Sequence, residues 1–279
     1  MKKIAAITMS RNDLFFLERW IGYYSKELGK ENVYVFLDGK DQKLPTNSNL
    51  ANITLLDHTP LSRTKGDKHR IKILSDFAAE LFTEKKYDLV IGTDCDEFLV
   101  VDPHIDQSLK NYLSQLEVKS SVSALGLDVG QHLEEESVLN RENSILSQRS
   151  YAIVSSRYTK ANIISKPLNW GSGFHRVRGK NFKIDKNLYL FHVGYCDLEL
   201  MKDKSGSDKI AAGWEAHLKR RAKTIYDITN AKKVFGEKEI KSAKNIQQNL
   251  RPIFAWNKPS MGWWNLVVKI PERFRNIKF

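Results

Sequence analysis

The sequence has little cysteine: two residues in 279, Cys95 and Cys196, each beside an acidic residue. A disulfide framework is excluded in practice, and a reducing cytoplasm fits. Long apolar runs are missing as well; none approaches the ~20 residues that a helix needs to cross a bilayer. The opening "MKKIAAITMSRND" starts as a secretory signal does. Its apolar stretch is short, however, and meets Arg11, Asn12 and Asp13, so it reads as a first strand. Internal repeats and low-complexity linkers are absent too. What remains is an ordinary globular composition, long enough for one large α/β domain or two smaller ones.

Positive charge is in excess, and unevenly so. The net charge is +12. Residues 1–199 hold 27 Lys and Arg against 26 Asp and Glu, whereas residues 200–279 hold 18 against 7. The basic character therefore belongs to the C-terminal segment and argues for a local anionic partner there.

Along the chain, "KIAAITMS" (3–10) reads as a strand, and Asn12 or Asp13 is placed to cap a helix. That helix covers "LFFLERWIGYYSKELG", with Leu14, Leu17, Ile21, Tyr24 and Leu28 at helical spacing and Gly29 to end it. "NVYVFLD" (32–38) is a second strand and "ITLLD" (53–57) a third. "TKGDKHRIKILSDFAAELF" is a second helix, and "YDLVIGTD" a fourth strand. Such alternation predicts a mostly parallel, Rossmann-like sheet flanked by helices, with ligands beyond the carboxyl ends of its strands. Ser10, Asp38 and the pair Asp94 and Asp96 all fall at such ends. Further on, "SVSALGLDV" (121–129), "SYAIVS" and "NLYLFHVGY" (187–195) are strand candidates, and "GWEAHLKRRAKTIYDI" (213–228) an amphipathic helix. The default organisation is one catalytic domain, with halves at 1–104 and 105–200, and a basic helical extension over 201–279.

The stretch "YDLVIGTDCDEFLV" carries an apolar strand into three carboxylates, Asp94, Asp96 and Glu97. Two aspartates one residue apart suit a hard divalent cation, Mn²⁺ or Mg²⁺, which would also relieve their repulsion. A solvated turn after a strand is the alternative for such a short motif; its place on the ligand side of the sheet favours the metal. Glu97 serves either as support for the loop or for a basic neighbour.

Taken together, "ITMSRNDLFFLERWIGYYSKELG", "VYVFLD" and "GTDCDEFL" resemble glycosyltransferases of the GT-A fold, in the family-2-like branch with a D-x-D-E-F at a core strand end. Arg11, Asn12 and Asp13 match the opening, Leu17, Glu18 and Trp20 match the helix, and Tyr23–Tyr24 stand where a Tyr-His is common. The likeness covers about the first hundred residues and extends weakly through "SGFHRVRG" and "LFHVGY". It implies a nucleotide-diphosphate sugar donor and a divalent metal. Asp94 would lie near the ribose and the metal, and Asp96 would bind the metal directly. His192, on an otherwise apolar strand, would complete the metal site, a satisfied core histidine being the alternative. Asp38 would contact the nucleoside, unless it is only a turn residue before Gly39. Thr8, Met9, Ser10 and Arg11 would border base and ribose.

The basic cluster Arg63, Lys65, Lys68, His69 and Arg70 opens a helix, where anionic oxygen is favoured. Lys65 and Arg70 are its candidate nucleotide contacts, against a solvated charged face. Trp170 could stack on a sugar and His175 lies among Gly171, Gly173 and Gly179, both candidates for acceptor binding and both open to plain packing or turn roles. An inverting transfer needs a base for the acceptor hydroxyl; Asp128 is preferred and Asp197 is its rival, while a retaining mechanism would need neither. The tail from Arg251 interleaves Phe254, Trp256, Trp263, Trp264, Phe274 and Phe279 with basic residues. It suits either an anionic membrane surface, which would put the enzyme on an inner leaflet near a lipid-linked acceptor, or packing over the domain.

The expectation is thus a metal-dependent hexosyltransferase-type enzyme that passes a sugar to a glycan or lipid-linked acceptor in bacterial surface polysaccharide or lipopolysaccharide synthesis. An aspartate-nucleophile phosphohydrolase is one alternative, although Phe98 stands where that chemistry wants a small hydroxyl residue. A nucleic-acid binder is the other; no motif supports it, and no nucleic-acid partner is expected.

Overall fold

The computed structural model describes residues 1–177, 183–205, 214–254, 258, 260–261 and 266–279, with backbone alone for 203–205 and 214–221. In chain order the elements are β1 (Ile4–Ser10), α1 (Leu14–Leu28), β2 (Val33–Asp38), β3 (Asn52–Leu56), α2 (Arg63–Thr83), β4 (Leu89–Gly92), β5 (Glu97–Val101), α3 (Leu109–Gln115) and β6 (Ser121–Gly130). They continue with β7 (Tyr151–Val154), β8 (Ile163–Ile164), β9 (Ile184–His192), α4 (Leu198–Ser205), α5 (Trp214–Thr229), α6 (Glu237–Phe254) and β10 (Leu266–Lys269).

The strands join in one mixed α/β sheet, in the order β10-β7-β6-β8-β4-β1-β2-β3, with β9 pairing β6 and β5 pairing β9. Strand alternation divides β1 between two cores. Ile4 and Ala6 face α1 with Phe16, Leu17, Trp20 and Ile21. Ala5, Ile7 and Met9 face α2 with Ile71, Leu74, Ala78 and Leu81. A strand buried on both faces must read as continuously apolar, which is why β1 and β4 do.

The first half follows the alternation: β3, β2, β1 and β4 are parallel neighbours. The second half departs from a mostly parallel sheet. There β6–β9 is parallel, while β4–β8, β6–β8, β6–β7, β5–β9 and β7–β10 are antiparallel. The predicted fourth strand also stops early, at Gly92. The chain turns through Thr93–Asp96, and β5 resumes beside β9.

That turn is clamped by α1. Trp20 Nε1 donates to Thr93 Oγ1 at 2.8 Å, Tyr23 Oη donates to Leu99 O at 2.7 Å, and Tyr24 Oη accepts from Leu99 N at 2.9 Å. The aromatic residues of the helix thus hold the Thr93 side chain before the acidic motif and the Leu99 backbone after it. Glu18, on the same helix, holds the loop after β2 by accepting from Thr46 N and Oγ1.

The C-terminal residues return to the sheet. β10 pairs β7, and Phe274 and Phe279 are buried in the main core. Phe279 stacks on Phe98 with ring centroids 4.1 Å apart. Arg273 forks onto Asp102 at 2.7 and 2.8 Å and reaches Glu237 at 2.8 Å. Phe254, at the end of α6, is 51% exposed. Trp256, Trp263, Trp264 and Gly179 lie outside the described residues. Among the described residues no helix is long and apolar enough to cross a membrane.

Candidate functional site

The carboxyl ends of β1, β2 and β4 put Ser10, Asp38 and the Asp94–Asp96 turn on one side of the sheet. Carboxylate oxygens of Asp94, Asp96 and Glu97 all lie within 4.8 Å of one another. Strand register adds the rest. In β5–β9 Glu97 stands opposite His192, and in β6–β9 Asp128 stands beside His192. Three neighbouring strands thereby align Glu97, His192 and Asp128 in one row.

Asp94 is held by two cations. Arg70, from α2, donates Nη2 to Asp94 Oδ1, and Lys160 Nζ lies 2.9 Å from Asp94 Oδ2. Burial alone would raise this carboxyl; Arg70 and Lys160 outweigh it and hold the group far below the usual carboxylate range. Lys160, 1% exposed, also pairs with Glu97 Oε1. Glu97 is wholly buried, and its other oxygen accepts from Asp94 N at 3.2 Å. Burial pushes its carboxyl up to about 7; Lys160 pulls the other way, and the Asp94 and Asp96 charges add to the rise.

Asp96 faces the imidazole. His192 Nε2 lies 3.4 Å from Asp96 Oδ2, and Nδ1 is 2.6 Å from Asp128 Oδ1. Thr224, on α5, donates to Asp128 Oδ2 at 2.9 Å. Tyr158 stacks on the imidazole at 3.8 Å, nearly parallel. Burial alone would lower His192; Asp96 and Asp128 outweigh it and bring the group to about 9. Gly194 leaves the room this needs, since a Cβ there would overlap Asp96 Oδ2 and sit 3.1 Å from His192 Nε2.

This donor set fits a divalent metal. The Asp96 carboxylate oxygen and the His192 imidazole nitrogen lie 3.4 Å apart, near enough for one ion to take both; Gly194 leaves room for that carboxylate, and the imidazole's far nitrogen is fixed by Asp128. Metal-ligating histidines are oriented in this way.

The remaining predicted residues fall into separate places. Arg11 bridges Asp38 O and Asp41, the latter at 3.0 and 3.1 Å, so it shapes the loop beside β2. Asp38 pairs with His58 at 3.0 Å. Ser10 accepts from Cys95 Sγ at 3.6 Å. Thr8 is wholly buried. Lys65 is exposed in the first turn of α2. Asp128 is 5% exposed and serves His192 and Thr224. Asp197 caps α4, accepting from Glu199 N and Leu200 N, and pairs with buried Arg149 at 2.7 Å. Trp170 packs on Phe174 and donates to Ala161 O at 2.8 Å. With Phe174 it fills the space a side chain at Gly92 would take. His175 meets Arg157 O at 2.8 Å, and burial keeps its imidazole well below its ordinary value.

Lys160, Tyr158 and Thr224 are the residues the motif reading missed. For Lys160 the one signal in the sequence is a lone cation leading into "ANII".

No protein-family model matches the chain, and no curated protein matches it. Solved structures show partial likeness. A protein described as a nucleotide-diphospho-sugar transferase, from Desulfovibrio desulfuricans, is 12% identical over 46% of this chain and 59% of its own, with a TM-score of 0.26. A bifunctional glycosyltransferase in its apo form is 16% identical over 46% of this chain and 23% of its own, with a TM-score of 0.27. A mannose-1-phosphate geranyltransferase from Thermus thermophilus is 11% identical over 98% of this chain and 77% of its own, with a TM-score of 0.32. The chain thus spans less than two thirds of the first two, and likeness at these scores supports neither a shared fold nor a shared activity.

Proposed function

We propose that this chain is a metal-dependent glycosyltransferase of the GT-A type, moving a sugar from a nucleotide-diphosphate donor to a glycan or lipid-linked acceptor. The observation that carries the reading is the convergence of Asp96 and His192, with Asp128 behind the imidazole, at the strand end that also presents Asp94. Asp96 and His192 would hold Mn²⁺ or Mg²⁺. Such an ion, when bound, neutralises the charge that builds on a diphosphate leaving group.

The chain's own residues do the rest. Arg70 and Lys160 lock the Asp94 carboxylate in one orientation, so it presents a fixed negative edge to the ribose and the metal side. Arg11 and Asp38, with Ser10 at the end of β1, wall the nucleoside side. Lys65, in the first turn of α2, is the exposed cation offered to the phosphates. We assign Asp128 to orienting His192, because both its oxygens are engaged, and Asp197 to the α4 cap and Arg149. The basic segment after residue 200 would bring the enzyme to an anionic membrane surface on the cytoplasmic side, where a lipid-linked acceptor of surface-glycan synthesis resides.

The phosphohydrolase alternative needs a free nucleophilic aspartate at the first motif position, and Asp94 has an oxygen on each of two cations. A thermal-shift panel separates the readings. Stabilisation by UDP- or GDP-type nucleotides that requires Mn²⁺ or Mg²⁺ is the expected result. Stabilisation by phosphate analogues without nucleotide preference, or salt-sensitive binding to oligonucleotides, would count against it.

A further inference from the structure

Three carboxylates within 4.8 Å look like one tri-acidic metal cage. The side chains around them divide that cage in two. We infer that Lys160 is the resident cation of the Asp94–Glu97 half and confines an exogenous divalent ion to the Asp96–His192 half. The inference rests on the glycosyltransferase reading for its metal and adds a positioning residue to it.

Lys160 Nζ lies between the two carboxylates, 2.9 Å from Asp94 Oδ2 and in contact with Glu97 Oε1. A divalent ion bridging those same oxygens would have to share the gap with an ammonium, and like charges at contact in a buried site repel strongly. Asp96 Oδ2 lies 3.4 Å from His192 Nε2, so a carboxylate oxygen and an imidazole nitrogen stand together there.

The ammonium is built in, not adventitious. It is 1% exposed and arrives on the connection between β7 and β8, which the rest of the fold pins down. Thr159 Oγ1 accepts from Gly126 N at 3.1 Å, and Ser155 N donates to Gly126 O at 2.9 Å. A Cβ at Gly126 would overlap the Tyr158 and Thr159 backbone. From α6, Arg251 Nη1 donates to Ser156 O at 2.6 Å and Thr159 O at 2.7 Å. The same short connection carries Tyr158, stacked on His192. One backbone segment therefore sets both the resident ammonium and the face of the imidazole, and the two halves are placed together.

The test is Mn²⁺ binding followed by electron paramagnetic resonance on the full chain, independent of turnover. Wild type is expected to bind one Mn²⁺. Glu97→Gln keeps the shape of the side chain and is expected to leave that affinity within about twofold, whereas Asp96→Asn lowers it at least about tenfold. Lys160→Arg stays at one ion, and Lys160→Met gains a second ion that Glu97→Gln then removes. Loss of the wild-type ion in Glu97→Gln, or one ion unchanged in folded Lys160→Met, would overturn the inference and leave the transferase reading standing. No Mn²⁺ binding by wild type, with or without nucleoside diphosphate, would overturn both. Should Lys160→Met fail to fold, the Glu97→Gln and Asp96→Asn arms still decide.

Discussion

Gly194 shows how much the site depends on a single missing carbon. Its backbone needs no left-handed conformation, so the main chain admits alanine, but the new Cβ would displace the Asp96 carboxylate from its place beside His192. Gly194→Ala should therefore keep its melting temperature close to wild type and lose Mn²⁺ affinity by about tenfold or more. A titration beside a melting curve checks both halves. Asp128 acts one step further out. Asp128→Asn keeps the shape but removes the charge that helps hold His192 near 9, so the imidazole pKa falls. Metal affinity should drop by about 10–100-fold, as when second carboxylates behind ligating histidines are removed. NMR titration of the imidazole reads the first effect and Mn²⁺ titration the second. The sequence announced the residues of this relay only in part. Asp94, Asp96 and His192 stand out as acids or a lone histidine at apolar strand ends. The role of Asp128 depends on the β6–β9 register, and Lys160 comes from a connection with no motif of its own.

Among the elements, α6 carries more of the fold than its polar sequence suggests. α6 buries Lys244, whose ammonium donates to Lys186 O at 2.6 Å and lies 4.0 Å from the Tyr189 ring centre. Burial lowers this lysine to about 8. Between that value and the unfolded value of about 10.4 the unfolded chain holds the proton and the folded one does not, so stability rises with pH across the window. Lys244→Met lacks this slope. The stability difference between variant and wild type should shift in favour of wild type by up to about 3 kcal/mol from below pH 8 to above pH 10. Denaturant melts of both proteins along that pH series measure it. At the end of the chain, Phe279 is 6% exposed and stacked on Phe98, next to the acidic turn. Phe279→Ala should cost about 3–5 kcal/mol, read as a lower urea midpoint.

The parallel half of the molecule was legible because β1, β2 and β4 are mostly apolar runs, β3 is short and bounded by polar loops, and the helices between them carry apolar stripes of period 3.6. The other half was not. Its strands pair antiparallel across long sequence gaps, β8 has two residues, and β10 adds to the sheet more than 100 residues after β7, its partner. Such pairings follow from tertiary contacts that no local pattern encodes. The charge division between residues 1–199 and 200–279 was plain from composition, and it does not coincide with a division of the sheet, since β10 lies in the basic part and pairs with β7 in the other. α1 holds the two flanks of the turn that carries Asp96, while β9 and the β7–β8 connection set His192 against it. The most direct test is a crystal soaked with Mn²⁺ and a nucleoside diphosphate, examined for anomalous scattering. One peak bonded to Asp96 and His192 is expected, with the diphosphate on its open side. A peak held instead between Asp94 and Glu97, or none beside an ordered nucleotide, would contradict it.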